Sequence, residues 1–391
     1  MQTQNSWHDS ATYSQWVRRM LRHAGSGQEM PVSLFESSVP EPVELLSGLV
    51  GDSFGKATTS RYESAFAGGN PFVKAKLAET YGVAEAGIVT TTGATGALSL
   101  IYQALLQPGD RILVENPGFD LFAILAEAQG FGVDRFERTG PSFAVDPDAV
   151  DAAIGPDTRI VVISNLHNPS GFAIDEGVLR ALGELAERRG VTLVVDEVYL
   201  GYALPGAKSA AQLDISPQVL SVNSLTKIYG LSTLRCGWIV GDPKVVQPIH
   251  ALSREVEFSI SKLSHAIAAL VLESPEAFRA WTDGIVASAR PIIASYHQQW
   301  LKAGLVEGAL PADGCIAFPR LVGITDTKDF SEWLATTYGV IVAPGECFGA
   351  AGHLRIGFAI DPDRLQHGLQ RLTDAIVEYR HIRADASLNR A

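Results

Sequence analysis

The chain has few cysteines and no long apolar run. Its three cysteines, Cys236, Cys315 and Cys347, are odd in number and widely spaced, so they match neither a disulfide framework nor a metal site. The longest apolar run, residues 266–272, is far shorter than the ~20 residues of a membrane-spanning helix. The polar N-terminal region also offers no apolar core for a signal peptide. These absences predict a cytoplasmic protein that has no membrane partner and binds no metal.

Runs of basic residues are missing as well. The chain carries 31 Lys and Arg against 43 Asp and Glu, which gives a formal net charge of −12. Nucleic-acid binding depends on clustered Lys and Arg side chains, so nucleic acid is not an expected partner. With 46% hydrophobic and 19% charged residues among 391, the composition is typical of a soluble globular protein. The length predicts two domains, or one large domain with a smaller companion.

Apolar runs alternate with helix-like stretches through the first two thirds of the chain. The runs begin at Gly87, Arg111, Arg159, Val191, Val219 and Cys236. Apolar residues occupy consecutive positions in these runs and do not alternate with polar ones, which is typical of strands covered on both faces. We therefore predict an α/β fold in which helices flank a mainly parallel central sheet. Residues 49–289 are predicted to form this large domain, and residues 1–48 and 290–391 a smaller α/β domain made of both chain ends.

A run of small residues, Thr91-Thr-Gly-Ala-Thr-Gly-Ala-Leu98, follows the first of these strands and begins a helix. Backbone N–H groups at such a helix N-terminus attract anions, so Gly93, Ala94 and Thr95 are predicted to cradle a phosphate group. A dinucleotide fold would use the same run, with Glu115 at the end of the next strand binding a ribose. The glycines match only part of the G-x-G-x-x-G spacing that this alternative requires.

Polar side chains follow two further strands. Asp196 and Tyr199 come at the end of one apolar strand, and Asn168 follows another in the run Asn-Pro-Ser-Gly. Ligands of open α/β sheets bind beyond the carboxyl ends of the strands, so these side chains are expected in one crevice. A buried carboxylate is costly unless it meets a cation or hydrogen-bond donors. Asp196 therefore predicts a cationic partner, such as a protonated ring nitrogen.

A lysine and an arginine follow the strand that begins at Val219. Lys227 lies three residues after Ser224 and eight before Arg235. A lysine in a dry site has a lowered pKa and forms a Schiff base with an aldehyde, while Ser224 and Arg235 suit a phosphate. Arg355 stands inside an apolar segment, where its guanidinium needs an anion. A carboxylate, held through two hydrogen bonds, is the expected one.

Together and in this order, the motifs resemble the fold-type I pyridoxal-phosphate enzymes, specifically the class I/II aminotransferases. The resemblance covers about residues 60–360. Its most specific parts are Asn168-Pro-Ser-Gly, Asp196-Glu-Val-Tyr199 and Ser224-x-x-Lys227 with Arg235. It implies that Lys227 holds the aldehyde of pyridoxal 5′-phosphate and then moves the proton, and that Asp196 pairs with the pyridinium nitrogen.

The resemblance implies roles for the remaining residues too. The ring oxygen would be bound by Asn168 and Tyr199, the ring face by Phe119, the phosphate by Ala94, Thr95, Ser224 and Arg235, and the substrate's α-carboxylate by Arg355 with Asn168. Tyr62 resembles the tyrosine that reaches the phosphate of a neighbouring subunit. A homodimer with a shared active site is therefore implied.

The implied reaction is amino transfer between an L-amino acid and a 2-oxo acid. No clear counterpart is found for the arginine that binds a distal carboxylate in dicarboxylate-specific relatives, although Arg254 and Lys262 are candidates. A neutral or apolar substrate side chain is therefore preferred. The stretch from Val32 to Pro42 also lacks the glycine that family members often place beside the substrate. A β- or γ-eliminating lyase or a synthase with the same cofactor remains an alternative. So does a non-enzymatic sensor domain.

Overall fold

The computed structural model describes residues 12–24, 31–62, 68–203, 206–256 and 260–388. The strands in these ranges are β1 (Val32–Ser33), β2 (Ile88–Thr91), β3 (Arg111–Asn116), β4 (Gly132–Glu137), β5 (Thr158–Ser164), β6 (Thr192–Asp196), β7 (Val219–Ser224), β8 (Gly237–Gly241), β9 (Val306–Glu307), β10 (Ile316–Ala317), β11 (Arg320–Leu321), β12 (Val340–Ile341), β13 (Ala343–Pro344) and β14 (Leu354–Gly357).

The α-helices in the same ranges are α1 (Tyr13–Ala24), α2 (Val43–Phe54), α3 (Pro71–Tyr81), α4 (Gly93–Leu105), α5 (Leu121–Ala128), α6 (Pro147–Ala153), α7 (Glu176–Arg189), α8 (Leu225–Ile228), α9 (Pro243–Val256), α10 (Lys262–Glu273), α11 (Glu276–Lys302), α12 (Thr327–Tyr338) and α13 (Pro362–Leu388). None of the helices in the described ranges combines the length and the apolar character needed to cross a bilayer.

The described residues form a seven-stranded central sheet in the order β2-β8-β7-β6-β5-β3-β4. Strand β8 runs antiparallel to both of its neighbours, and the other pairs are parallel. The predicted α/β class with a mainly parallel sheet is confirmed. The sequence did not reveal β4, because this edge strand is only partly covered and therefore carries no continuous apolar run.

Successive residues of the central strands pack into different cores. In β5, Val162 belongs to a cluster with Leu98 of α4, whereas Val161 belongs to a cluster with Leu182 of α7. Side chains alternate between the two faces of a strand, so a strand covered on both faces is apolar at every position. The sheet therefore lies between two helical layers.

A third cluster joins residues from both ends of the chain. Val32 and Leu34 pack with residues of α11, α12 and α13, and β1 pairs in parallel with β12. We propose that this cluster is the core of a small domain and that the sheet belongs to a large one. The predicted boundaries, at residues 48/49 and 289/290, fall inside α2 and α11 and remain a prediction. Residues 1–11, 25–30 and 389–391 of the predicted small domain lie outside the described ranges.

Candidate active site

The carboxyl ends of three adjacent parallel strands bring the predicted residues to one edge of the sheet. Asp196 is the last residue of β6, which pairs with β5 on one side and β7 on the other. Asn168 follows β5 by four residues, and Lys227 lies in the short helix α8 directly after β7. The crevice beyond these strand ends is where open α/β sheets bind ligands.

Lys227 is half-buried in this crevice. Its Nζ donates a hydrogen bond to Ser37 Oγ at 2.9 Å and lies 5.7 Å from the centre of the Tyr199 ring. Burial lowers the pKa of Lys227; a smaller opposing effect comes from Tyr13, and the positive charge of Arg355 lowers the pKa further. A lowered pKa increases the fraction of free amine, which is the form that reacts with an aldehyde.

Asp196 is a buried carboxyl with a single hydrogen-bond partner among the described residues. Its side chain accepts a bond of 3.2 Å from the backbone N–H of Val198, and the residue is 5% exposed. Burial raises the pKa of Asp196 to about 6, although the hydrogen bond from Val198 and the charge of Lys227 both act to lower it. No salt bridge to Asp196 forms within the described part of the chain, so its carboxylate has room for a cationic partner.

The Tyr199 hydroxyl is also buried, and the described residues offer it no well-formed hydrogen bond, although Ser37 lies near enough to lower its pKa slightly. Burial raises the pKa of Tyr199, so the phenol is protonated at neutral pH and can donate. Buried polar groups without a partner are uncommon in folded proteins. The hydroxyl therefore indicates a ligand oxygen or nitrogen at this position.

The start of α4 and the segment around Arg235 lie close together, as the predicted anion cradle requires. Gly93 has a φ of +74°, and a Cβ added there would lie 2.6 Å from Arg235 Nη2. A Cβ on Gly237 would similarly lie 2.8 Å from the backbone N of Ala94. Gly93 leaves space for the Arg235 guanidinium, and Gly237 leaves space for the backbone at the start of α4. Thr95 and Arg235 are exposed, and Ser224 is buried at the end of β7.

Arg355 is buried in β14 between two aromatic rings. Its Cζ lies 4.6 Å from the centre of the Tyr13 ring and 4.7 Å from that of Phe348. Its Nη1 donates to Asn168 Oδ1 at 3.0 Å, which joins two of the predicted substrate-binding residues. The Nε atom is buried and has no partner among the described residues. Arg355 thus retains hydrogen-bonding capacity for an anion.

Two further predicted residues differ in their surroundings. Phe119 is half-buried, and its ring packs edge-on against Phe122 and Tyr13, with centroids 5.8 and 6.3 Å apart. Tyr62 is 39% exposed and packs under the ammonium group of Lys262, whose Nζ is 4.3 Å from the ring centre. The predicted reach of Tyr62 into a second subunit stays a prediction.

The environment of Glu115 opposes the dinucleotide alternative. Its carboxylate forms a salt bridge of 2.9 Å with Arg138 and accepts bonds from the N–H and the hydroxyl of Ser164. The side chains of Glu115 and Arg138 are 0% and 1% exposed. Glu115 is therefore used inside the fold and is not accessible to a ribose.

The sequence did not single out two residues of the crevice. Ser37 lies 190 positions before its partner Lys227. Tyr13 lies 342 positions before Arg355, from which its hydroxyl accepts a hydrogen bond. The only available signal was the absence of the expected glycine in the stretch that contains Ser37. For Tyr13 no local pattern existed, because its place depends on how α1 packs.

The chain is similar to proteins of known activity. The family described as "Aminotransferase class I and II" matches residues 57–372. Capreomycidine synthase of Streptomyces vinaceus is 31% identical over 299 residues, 74% of each chain. Valine–pyruvate aminotransferase of Mycobacterium tuberculosis is 30% identical over 294 residues, 73% of this chain and 74% of its own. A single mutant of Thermus thermophilus aspartate aminotransferase superposes with a TM-score of 0.82 at 25% identity, covering 94% of this chain and 96% of that one.

Proposed function

Because the chain belongs to the class I and II aminotransferases, whose cofactor is pyridoxal 5′-phosphate, we propose that it moves an amino group between an L-amino acid with a neutral or apolar side chain and a 2-oxo acid. The observation that carries the proposal is the Lys227 amine with its lowered pKa at the strand ends, with Asp196 on the adjacent strand. The Arg355 guanidinium is close enough to lower the pKa of that amine.

Four features of the crevice fit the cofactor. Among the described residues Asp196 has no salt-bridge partner, and the ring nitrogen would supply one. The Tyr199 hydroxyl has no well-formed hydrogen bond there, and the ring oxygen would supply an acceptor. The close approach of Arg235 to Gly93 forms a cradle suited to the phosphate. Because Asn168 Oδ1 accepts from Arg355, its Nδ2 is left to donate to the ring oxygen. The proposed phosphate ligands are Gly93, Ala94, Thr95, Ser224 and Arg235, and Phe119 is proposed to cover the ring face.

The proposed mechanism gives Lys227 and Asp196 roles in holding or moving a proton, and Arg355 a role in substrate binding. When bound, the cofactor withdraws electrons from the substrate and makes its α-proton acidic. Lys227 Nζ accepts that proton as a free amine and later returns it, which its lowered pKa favours at neutral pH. Asp196, as a carboxylate, holds a proton on the ring nitrogen. Arg355 orients the substrate through its carboxylate.

The aromatic surroundings of Arg355 support the substrate preference. Tyr13, Phe348 and Phe119 form a connected group of rings, with Tyr13–Phe348 centroids 5.6 Å apart. Such walls favour an apolar side chain over a charged one, because a charge there would lose its hydration. The valine–pyruvate aminotransferase among the relatives agrees with this preference. A cytoplasmic homodimer in which Tyr62 reaches the partner's phosphate site is part of the same proposal.

A donor panel tests the proposed function. We expect the cofactor-loaded protein to absorb visible light, and apolar amino acids such as valine to bleach the band and convert pyruvate to alanine. Each donor's 2-oxo acid should appear in equal amount. The competing elimination chemistry would release pyruvate and ammonia from cysteine without any 2-oxo acid acceptor. That result, without amino transfer from any donor, would contradict the proposal.

Replacing Gly93 with alanine tests the phosphate cradle. We expect Gly93→Ala to weaken cofactor binding about 10-fold, since the new Cβ would move Arg235 and disturb one charge-assisted hydrogen bond. The matched control is Gly109→Ala, whose φ is +98° but whose added Cβ meets nothing within 4 Å. Both variants carry backbone strain, but only Gly93→Ala should change the affinity in a cofactor titration. Equal affinities for the two variants would refute the cradle.

A further inference from the structure

Tyr13 lies against the arginine that is proposed to bind the substrate. Its hydroxyl accepts a hydrogen bond from Arg355 Nη2, and its ring lies over the guanidinium with a Cζ distance of 4.6 Å. The electrostatic influence of Lys227 and Tyr199 also reaches the Tyr13 hydroxyl. This phenol therefore contacts the proposed carboxylate-binding Arg355 and lies near the Lys227 amine.

The hydrogen bonds of Arg355 show what a carboxylate would meet. The Nη2 group has two N–H bonds, and its two acceptors are the Tyr13 hydroxyl and the Phe35 carbonyl oxygen, the latter at 3.2 Å. A carboxylate binds a guanidinium through two parallel N–H bonds, either from Nη1 and Nη2 or from Nε and Nη2. Both arrangements use Nη2. A substrate carboxylate therefore has to displace one of its present acceptors.

Of the two acceptors, the Tyr13 hydroxyl is the movable one. The Phe35 carbonyl belongs to a backbone that neighbouring strands hold, with Leu34 N–H bonded to Ile341 O at 2.8 Å and Gly357 N–H bonded to Leu34 O at 2.7 Å. Tyr13 begins α1, and its half-buried ring packs against Phe119 and Phe348. Displacing its hydroxyl therefore needs a turn of one side chain only, and its N–H can keep the bond of 2.8 Å to Asp120. The unpartnered Nε–H of Arg355 marks one of the two edges on which the displacing carboxylate could then bind.

We propose that Tyr13 is a residue of the substrate site and competes with the substrate's α-carboxylate for Arg355. This inference rests on the proposed function, because it takes Arg355 as the carboxylate-binding group. Tyr13 thereby lowers the affinity of the site for carboxylates as a class. A ligand of the same size without the negative charge gains less from Arg355 and does not displace the phenol.

Calorimetric titration of the cofactor-loaded protein with propionate and with propionamide tests this competition without turnover. The variants are Tyr13→Phe, which keeps the ring but removes the hydroxyl, and the control Tyr296→Phe, whose hydroxyl contacts Gln366 and Gln370 on α13. We expect Tyr13→Phe to bind propionate about 10-fold more tightly than the unmodified chain, because no phenol has to be displaced. Propionamide binding should be equal in all three proteins, and Tyr296→Phe should match the unmodified chain.

Unchanged or weaker propionate binding by Tyr13→Phe would overturn the inference, as would the absence of propionate binding in all three proteins. Tighter binding of propionamide to the same degree would also overturn it, because the effect would then not concern the carboxylate. The visible band and the circular dichroism of each variant establish that cofactor and fold are retained. The proposed function fails separately, through missing amino transfer in the donor panel, so the two failures are distinguishable.

Discussion

The variant Lys227→Ala is expected to lack the visible band of the cofactor-loaded protein and to lose at least about 10³-fold in kcat. Two functions are removed together, since the Lys227 amine is proposed both to hold the cofactor aldehyde and to move the substrate's α-proton. In the folded chain the amine lies beside Ser37 and Tyr199, with a lowered pKa. The two measurements are the absorbance spectrum and the steady-state rate with the best donor.

Two controls separate chemistry from charge and from folding. Lys227→Arg keeps a positive charge but cannot form the carbon–nitrogen double bond, so we expect it to lose as much activity as the alanine variant. Lys302→Ala removes an exposed lysine at the end of α11 and should leave spectrum and rate unchanged. A Lys227→Ala protein that keeps both the band and the rate would rule out the proposed role of this lysine.

The second large effect is expected for Asp196→Asn. An amide cannot hold a proton on the ring nitrogen as a carboxylate does, so we expect kcat to fall by about 10²- to 10³-fold while the cofactor still binds. The matched control is Glu197→Gln at the next residue, which is equally buried but bonded to Ser209 and Ala210. Its kcat should change little. Similar losses in both variants would indicate a structural effect in place of the proposed one.

The same substitution is expected to stabilise the cofactor-free protein above pH 6. The pKa of Asp196 is raised to about 6 in the folded chain, so the unfolded chain releases this proton at lower pH. The folded state therefore loses stability as the pH rises from about 4 to about 6, by about 3 kcal/mol for a shift of this size. Asparagine does not titrate, so the gain in unfolding free energy should be present at pH 7.5 and vanish below about pH 4.

Urea unfolding of the cofactor-free proteins at pH 4 and pH 7.5 measures this difference. A destabilised Asp196→Asn protein at pH 7.5 would contradict this expectation, because the carboxylate would then increase the free energy of unfolding and not lower it. The expected pairing of higher stability with lower kcat is typical of a residue that the fold keeps for a ligand.

The residues that could be predicted from the sequence share one physical property. Lys227, Asp196 and Asn168 each follow a run of apolar residues, and parallel strands place their carboxyl ends along one edge of a sheet. The pattern around each residue is local, so reading each strand separately was enough to expect them together. The strand β4 could not be predicted in this way, because an edge strand is covered less and its sequence is mixed.

What the sequence by itself determined is therefore the family, the α/β class and the residues at the strand ends. Only the tertiary structure decided that Ser37 contacts the Lys227 amine, that the Tyr13 hydroxyl accepts a hydrogen bond from Arg355 and that Glu115 forms a buried salt bridge with Arg138. These contacts join segments that are far apart in the chain, and no spacing or periodicity records them. The contacts of Ser37 and Tyr13 depend on how the N-terminal segments pack against the rest of the chain, and that of Glu115 depends on the pairing of β3 with β4. Such packing is a property of shape and complementarity between surfaces.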